Sequence, residues 1–243
     1  MTYCVGLNLE QGLIFASDSR TNAGVDDIGR FGKMRVFAND GERVIVTLSA
    51  GNLSVTQNAL NLLDHRATHD AAQPGLMNAK SMFEVATLVG DAMREIRARD
   101  ESYLRSSNID PNASFILGGQ IAGESPRLFL VYSEGNFIES LADTPFFQTG
   151  ETKFGRPILD RVITPQTSLS EAAKCVLVSF DSTIRSNVSV GTPIDLLVYR
   201  HDSLQLGVQR RLEDDDPYYG EIRRQWNDSL RSVLHTLPDP DWL

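Results

Sequence analysis

Cysteine is nearly missing from this 243-residue chain: Cys4 and Cys175 are its two, far apart and outside any Cys-x-x-Cys spacing. That excludes a zinc site built on cysteine pairs and a disulfide framework, and it points to a reducing cytoplasm. Positive charge is also short. Lys+Arg number 23 against 32 Asp+Glu, a net charge of −9, and the basic residues gather into no stripe. A phosphate-binding surface, and with it nucleic acid as a partner, is therefore excluded. No apolar run approaches the ~18 residues of a membrane span. The first residues lack a basic region followed by an apolar one. The expectation is a soluble cytoplasmic protein with no membrane contact.

What is present is 41% hydrophobic residues, enough for a chain of this length to bury roughly three quarters of its unfolded surface as one domain over 1–243. Tyr3 to Leu9 and Leu13 to Ser17 are β-rich runs joined by Glu10-Gln11-Gly12, an opening hairpin. Asp18 stands at its end. Thr21 to Gly32 reads as a polar, glycine-containing loop, after which Lys33 opens a third strand. Asn39-Asp40-Gly41 is a turn, and Arg43 to Leu48 a strand apolar enough to be covered on both faces. Ser49-Ala50-Gly51-Asn52 then leads into an amphipathic helix.

Ser81-Met82-Phe83-Glu84 is a capping box before a second helix. Short strands at 114–117, 128–132 and 137–141 follow, then a capped helix from Ser168 and strands at 194–199 and 205–208. A last helical extension covers about 217–237 and is ended by Pro238 and Pro240. Segregated runs of strands and helices predict an α+β fold of two sheets with helices outside.

Four positions carry chemistry together. With Met1 removed, Thr2 presents a hydroxyl and a free α-amino group, a nucleophile with its own base. Hairpin pairing brings Asp18 near it. Lys33, desolvated and held by Asp18, lowers the proton affinity of a nearby hydroxyl. Gly51, where a strand ends and a helix begins, can aim an N–H at a developing oxyanion with the helix's positive end behind it. Singly, each has a plainer reading: a common second residue, a surface ion pair and a turn glycine.

Other features weigh less. His65 and His69 lie one helical turn apart but have no third ligand, so no metal is expected. Glu213 to Asp216 lacks calcium-loop spacing and reads as a helix start. Cys4 reads as a small buried hydrophobe. Gly118-Gly119 is followed by no Lys-Ser/Thr pair, which leaves a phosphate loop unsupported. Trp226 and Trp242 read as packing residues, and Tyr218 and Tyr219 as packing or subunit-contact residues.

Through Thr2, Ser17-Asp18-Ser19-Arg20, Lys33 and Ala50-Gly51 the chain resembles the N-terminal nucleophile hydrolases, in particular proteasome β-subunits and their HslV-type bacterial relatives. MTYCVGLNLEQGLIFASDSRTNAGVDD, RVIVTLSAGNLSVTQ and SFDSTIRSNVSVGTPIDLLVY resemble more closely the proteasome-related bacterial Anbu (ancestral β-subunit) family. That resemblance implies a four-layer αββα sandwich and self-assembly into rings or ring-like open helices. It implies Thr2 as nucleophile, Asp18 and Lys33 as its electrostatic partners, Gly51 as oxyanion donor and Arg20 as a supporting residue. It also implies a peptide or protein substrate and no cofactor. An unidentified ATPase would feed the chain if it works as a compartmentalised peptidase.

Two positions depart from the proteasome pattern. Gln148-Thr149-Gly150 stands where a Gly-Ser-Gly orders the N-terminal amine, so Thr149 substitutes its hydroxyl. Asn187 and Val190 stand where an Asp and a Ser are found, with Ser186 or Ser189 as replacements one residue away. The expected function is threonine hydrolase, and the alternative is a structural or binding subunit with a degenerate site. Ser49, small and next to the oxyanion turn, leaves room for a sizeable substrate side chain.

Overall fold

A computed structural model describes residues 2–22, 28–69 and 73–242. The opening hairpin forms as its pattern predicts: β1 (Tyr3–Leu9) and β2 (Gly12–Asp18) pair antiparallel, with Cys4 opposite Ser17. These two strands are the middle of a sheet. On the free side of β1 lies β10 (Phe146–Gly150), and beyond β2 lie β11 (Ile194–Arg200) and β12 (Val208–Leu212), giving the order β10-β1-β2-β11-β12.

The second sheet is a meander of β5 (Met34–Asn39), β6 (Arg43–Gly51), β7 (Ala113–Ile121), β8 (Arg127–Val131) and β9 (Phe137–Glu139). Every pairing in both sheets is antiparallel. Helices α1 (Leu53–His69) and α2 (Met82–Ser106) cover this sheet. Helices α3 (Arg156–Val162), α4 (Leu169–Ser186) and α5 (Pro217–Thr236) belong to the first. The architecture is the four-layer αββα sandwich that the resemblance implies.

Period-2 alternation splits each sheet between two apolar layers. Leu13 and Phe15 of β2 face Val44, Val46 and Ile116 of the other sheet, whereas Ile14 and Ala16 face Val176 and Phe180 of α4. Burying each of the Leu, Ile, Val and Phe side chains among them contributes roughly 1.5–3 kcal/mol. The helix starts follow from their caps. Ser81 Oγ accepts from Glu84 N–H at 3.1 Å, Ser168 Oγ from Glu171 N–H at 3.3 Å and Asp216 Oδ1 from Tyr219 N–H at 2.9 Å.

Several expectations change. Within the stretch read as a loop, β3 (Arg20–Asn22) and β4 (Ile28–Arg30) form a two-stranded ribbon. Residues 23–27 of that stretch lie outside the described residues. The last strand runs over Val208–Leu212, not 205–208, and four of its five residues are exposed, so no apolar alternation marks it. Trp242 packs against little, being 78% exposed, and Tyr219, in the first turn of α5, is buried against the first sheet's helical layer. Gly118 and Gly119 lie inside β7. Among the described residues no helix is long and apolar enough to cross a membrane, and no group of three or more His, Cys, Asp or Glu is placed to hold a metal ion.

Candidate active site

Thr2 immediately precedes β1 and is 9% exposed, whereas Asp18, at the end of the neighbouring strand, is 0% exposed. The hairpin register sets Asp18 beside Tyr3, and Asp18 Oδ1 accepts the Tyr3 backbone N–H at 2.9 Å. The carboxylate thus grips the peptide unit that joins Thr2 to the sheet. Lys33, 4% exposed, reaches the same oxygen: its Nζ donates to Asp18 Oδ1 at 2.5 Å and to the Arg20 carbonyl at 2.6 Å. Burial pushes the Asp18 carboxyl up from its usual range. The Lys33 charge and hydrogen bond pull it back, and the Tyr3 and Gly191 backbones act in the same direction. Its second oxygen, Oδ2, is buried and accepts no hydrogen bond among the described residues.

Gly51 ends β6, the strand beside Lys33. Two residues earlier, Ser49 N–H donates to the Lys33 carbonyl at 3.0 Å, and the Ser49 carbonyl faces Cys4 Sγ of β1 at 3.6 Å. These two links tie the strand of Gly51 to both Lys33 and β1. Gly51 has φ 92°, and a Cβ there would stand 2.3 Å from the Asn112 carbonyl oxygen, so only glycine fits. Asn52 then caps α1, its Oδ1 accepting from Ser54 N–H at 3.0 Å and Val55 N–H at 3.3 Å. The positive end of α1 therefore starts directly after Gly51.

Arg20 contributes twice. Its carbonyl holds Lys33, and its guanidinium donates to the Val188 carbonyl at 2.7 Å while lying over Gly191. Thr149 Oγ1 pairs with Ser114 Oγ of β7 at 2.6 Å, bridging the two sheets opposite Cys4. Asn187 ends α4 and donates from Nδ2 to Glu151 Oε2 at 2.8 Å, while its Oδ1 accepts Ser189 N–H at 3.0 Å. Val190 is fully buried in the apolar layer under α4. Cys4 lies in the inter-sheet layer, where burial pushes its thiol far up, so it stays protonated and behaves as a hydrophobe. Met1 lies outside the described residues.

Sequence reasoning missed Glu151. It is 7% exposed, and its backbone N–H donates to the Thr2 carbonyl at 2.6 Å. Its neighbour Gly150 must be glycine, because its φ is 85° and a Cβ would lie 2.0 Å from the Thr2 carbonyl oxygen. The signal that could have found Glu151 is a lone acidic residue directly after a glycine that ends a strand pairing with β1. Ser49 borders a cleft of about 400 Å³ lined by Gly32, the residue before Lys33, and by Arg35, Leu53, Thr56 and Asn61. A second cleft of about 410 Å³, lined by Asp195, Gln209 and Arg211 at the sheet edges, contains none of the site residues.

No protein-family model and no curated protein matches the chain, but solved structures do. Anbu (ancestral beta-subunit) from Yersinia bercovieri is 48% identical, with a TM-score of 0.92, over 98% of this chain and 99% of that one. A structure described as a helical assembly of the Anbu complex from Pseudomonas aeruginosa is 50% identical, with a TM-score of 0.93, over 98% of each chain. An Anbu (Gly-1) mutant from Hyphomicrobium sp. strain MC1 is 46% identical, with a TM-score of 0.92, over 99% of this chain and 100% of that one. Identity at this level along nearly the whole length, on the same fold, shows that this chain belongs to the Anbu (ancestral β-subunit) family, a proteasome-related group of N-terminal nucleophile hydrolases.

Proposed function

We propose that the chain is a threonine hydrolase acting on peptide or protein amide bonds through Thr2 after Met1 is removed. The observation that carries this reading is the buried Lys33–Asp18 pair locked onto the N–H of the residue following Thr2. Thr2 Oγ attacks the amide carbonyl carbon as its proton passes to the α-amine, and Gly51 N–H receives the charge on the carbonyl oxygen. The tetrahedral intermediate expels the amine product, which takes that proton, and leaves an ester on Thr2. Water hydrolyses the ester by the same route and regenerates the free hydroxyl.

An α-amine titrates near ~8 in model peptides, and the Lys33 ammonium pushes it lower, making it a base at neutral pH. Asp18, paired with Lys33, moderates that effect. The cleft beside Ser49 offers space for a substrate side chain. Self-assembly into a ring or helical homo-oligomer fits the helical assembly described for the Pseudomonas aeruginosa relative. If that assembly encloses the sites, an unidentified ATPase would deliver unfolded substrate. A cytoplasmic location fits the scarcity of cysteine.

The buried Val190 and the neutral Asn187 favour a second reading, a structural or binding subunit with a degenerate site. Peptide hydrolysis and adduct formation with a threonine-directed electrophile, measured on wild type and Thr2→Ala with intact masses to report Met1, separate the two. An adduct on Thr2 with turnover lost in Thr2→Ala supports the hydrolase. Equal turnover by the two proteins, or no adduct on a protein lacking Met1, leaves the structural subunit.

A further inference from the structure

Among the described residues, Glu151 is a buried carboxylate with no cationic partner. Its two oxygens accept only neutral donors: Oε1 takes Lys153 N–H at 2.9 Å, and Oε2 takes Asn187 Nδ2–H at 2.8 Å. Burying an anion on such terms is costly unless a positive charge is close. The nearest main-chain link of Glu151 is to Thr2, whose carbonyl accepts the Glu151 N–H at 2.6 Å. The β1–β10 pairing ends with Tyr3 opposite Gly150, and the Glu151-to-Thr2 bond carries the contact one step further, so that Glu151 is the residue joined to Thr2 where the two strands stop.

Removal of Met1 creates one new charge in this region, the α-ammonium of Thr2. We propose that Glu151 is the counter-charge that receives and orients this amine, and that Asn187 is the positioning residue that aims the carboxylate. The inference rests on the reading that Thr2 is N-terminal in the working protein. It divides the labour at the site. Asp18 and Lys33 face Thr2 from β2 and from the start of β5, and they are already paired with each other, whereas Asn187 at the end of α4 is neutral and Arg20 is committed to Val188. Glu151 is left to the amine. A carboxylate in that place keeps the lone pair directed at Oγ and raises the pH at which the amine becomes a free base.

The test follows the amine itself. Protein whose mass shows Met1 removed is reductively dimethylated with ¹³C-formaldehyde and a borane or cyanoborohydride hydride donor, and the N-terminal resonance is titrated in wild type, Glu151→Gln, Glu151→Asp, Asn187→Ala and the exposed-turn control Asp40→Asn. Glutamine retains an acceptor for Asn187 and Lys153, so the fold persists. Glu151→Gln should lower the midpoint by at least ~0.5 pH unit, since an opposite charge within ~4–6 Å shifts a group by about one unit or more. Asn187→Ala should lower it less, and Glu151→Asp should restore part of the shift. A Glu151→Gln midpoint that moves no further than that of Asp40→Asn overturns the inference. A displaced midpoint on a protein that forms no electrophile adduct keeps this inference and removes the hydrolase reading. A mass that retains Met1 removes both.

Discussion

Lys33 Nζ and Asp18 Oδ1 lie 2.5 Å apart with both side chains enclosed, and the same oxygen holds the Tyr3 N–H. Removing one member of a buried pair strands the other. Lys33→Ala should therefore destabilise the protein by roughly 3–5 kcal/mol and lower Thr2 reactivity toward an electrophile by about a hundredfold or more. Lys33→Arg keeps the charge but forces a larger planar head into a space shaped for an ammonium, so it should fall between. Urea midpoints and adduct rates measured together check both, and an unchanged Lys33→Ala protein would contradict the pairing.

Arg20 supports the site through two separable groups. Its carbonyl, which holds Lys33, survives truncation, whereas the guanidinium that holds the Val188 carbonyl does not. Arg20→Ala should thus lower Thr2 reactivity less than tenfold while raising hydrogen exchange across 188–191. A loss as deep as that of Lys33→Ala would mean that the guanidinium itself meets the reacting groups.

Alkaline pH should unfold the chain through its buried acids. Burial pushes the Tyr3 phenol from 10.0 up to about 12 and the Cys175 thiol from 9.0 up to about 12. A raised folded pKa means that the folded state keeps its proton longer than the unfolded state. The stabilisation is complete below pH 9.0, the unfolded value of the thiol, and is lost as pH climbs toward 12. Tyr3 alone accounts for a loss on the order of 2–3 kcal/mol. Tyr3→Phe forfeits hydrogen bonds to Ser179 and Gln148, costing about 1 kcal/mol near pH 7, but should flatten the decline above pH 10. Urea midpoints across pH 8 to 11 give the slope.

The elements that sequence reading located are those whose signal is local. The opening hairpin, the two serine caps and the apolar stripe of α4 each depend on residues within a few positions of one another. The misses share a different cause. β10 is five residues long and is recruited by the exposed edge of β1, while α3 is seven residues long and starts at Gly155 with no side-chain cap. The Lys33–Asp18 pairing was legible because strand ends bring the two side chains together beside the start of β1. Glu151 was not, because its significance comes from pairing across a separation of 149 residues, which no local pattern encodes.

Three glycines with positive φ separate strain from crowding around the site. Gly41 has φ 78° with open space where a Cβ would go, so Gly41→Ala should cost only about 1 kcal/mol of backbone strain. Gly51→Ala adds a clash with the Asn112 carbonyl, and Gly150→Ala adds one with the Thr2 carbonyl. Each backbone must then move, at a further cost of about 1–3 kcal/mol. Their chemical effects should differ in kind. On the proposed mechanism Gly51→Ala displaces the oxyanion donor, and it should slow acylation while leaving the Thr2 amine titration in place. Gly150→Ala displaces Thr2 from Glu151 and should disturb the amine titration as well as the rate. If Gly150→Ala slows acylation but leaves the titration at its wild-type midpoint, then Thr2 and Glu151 are not coupled through the β1–β10 pairing.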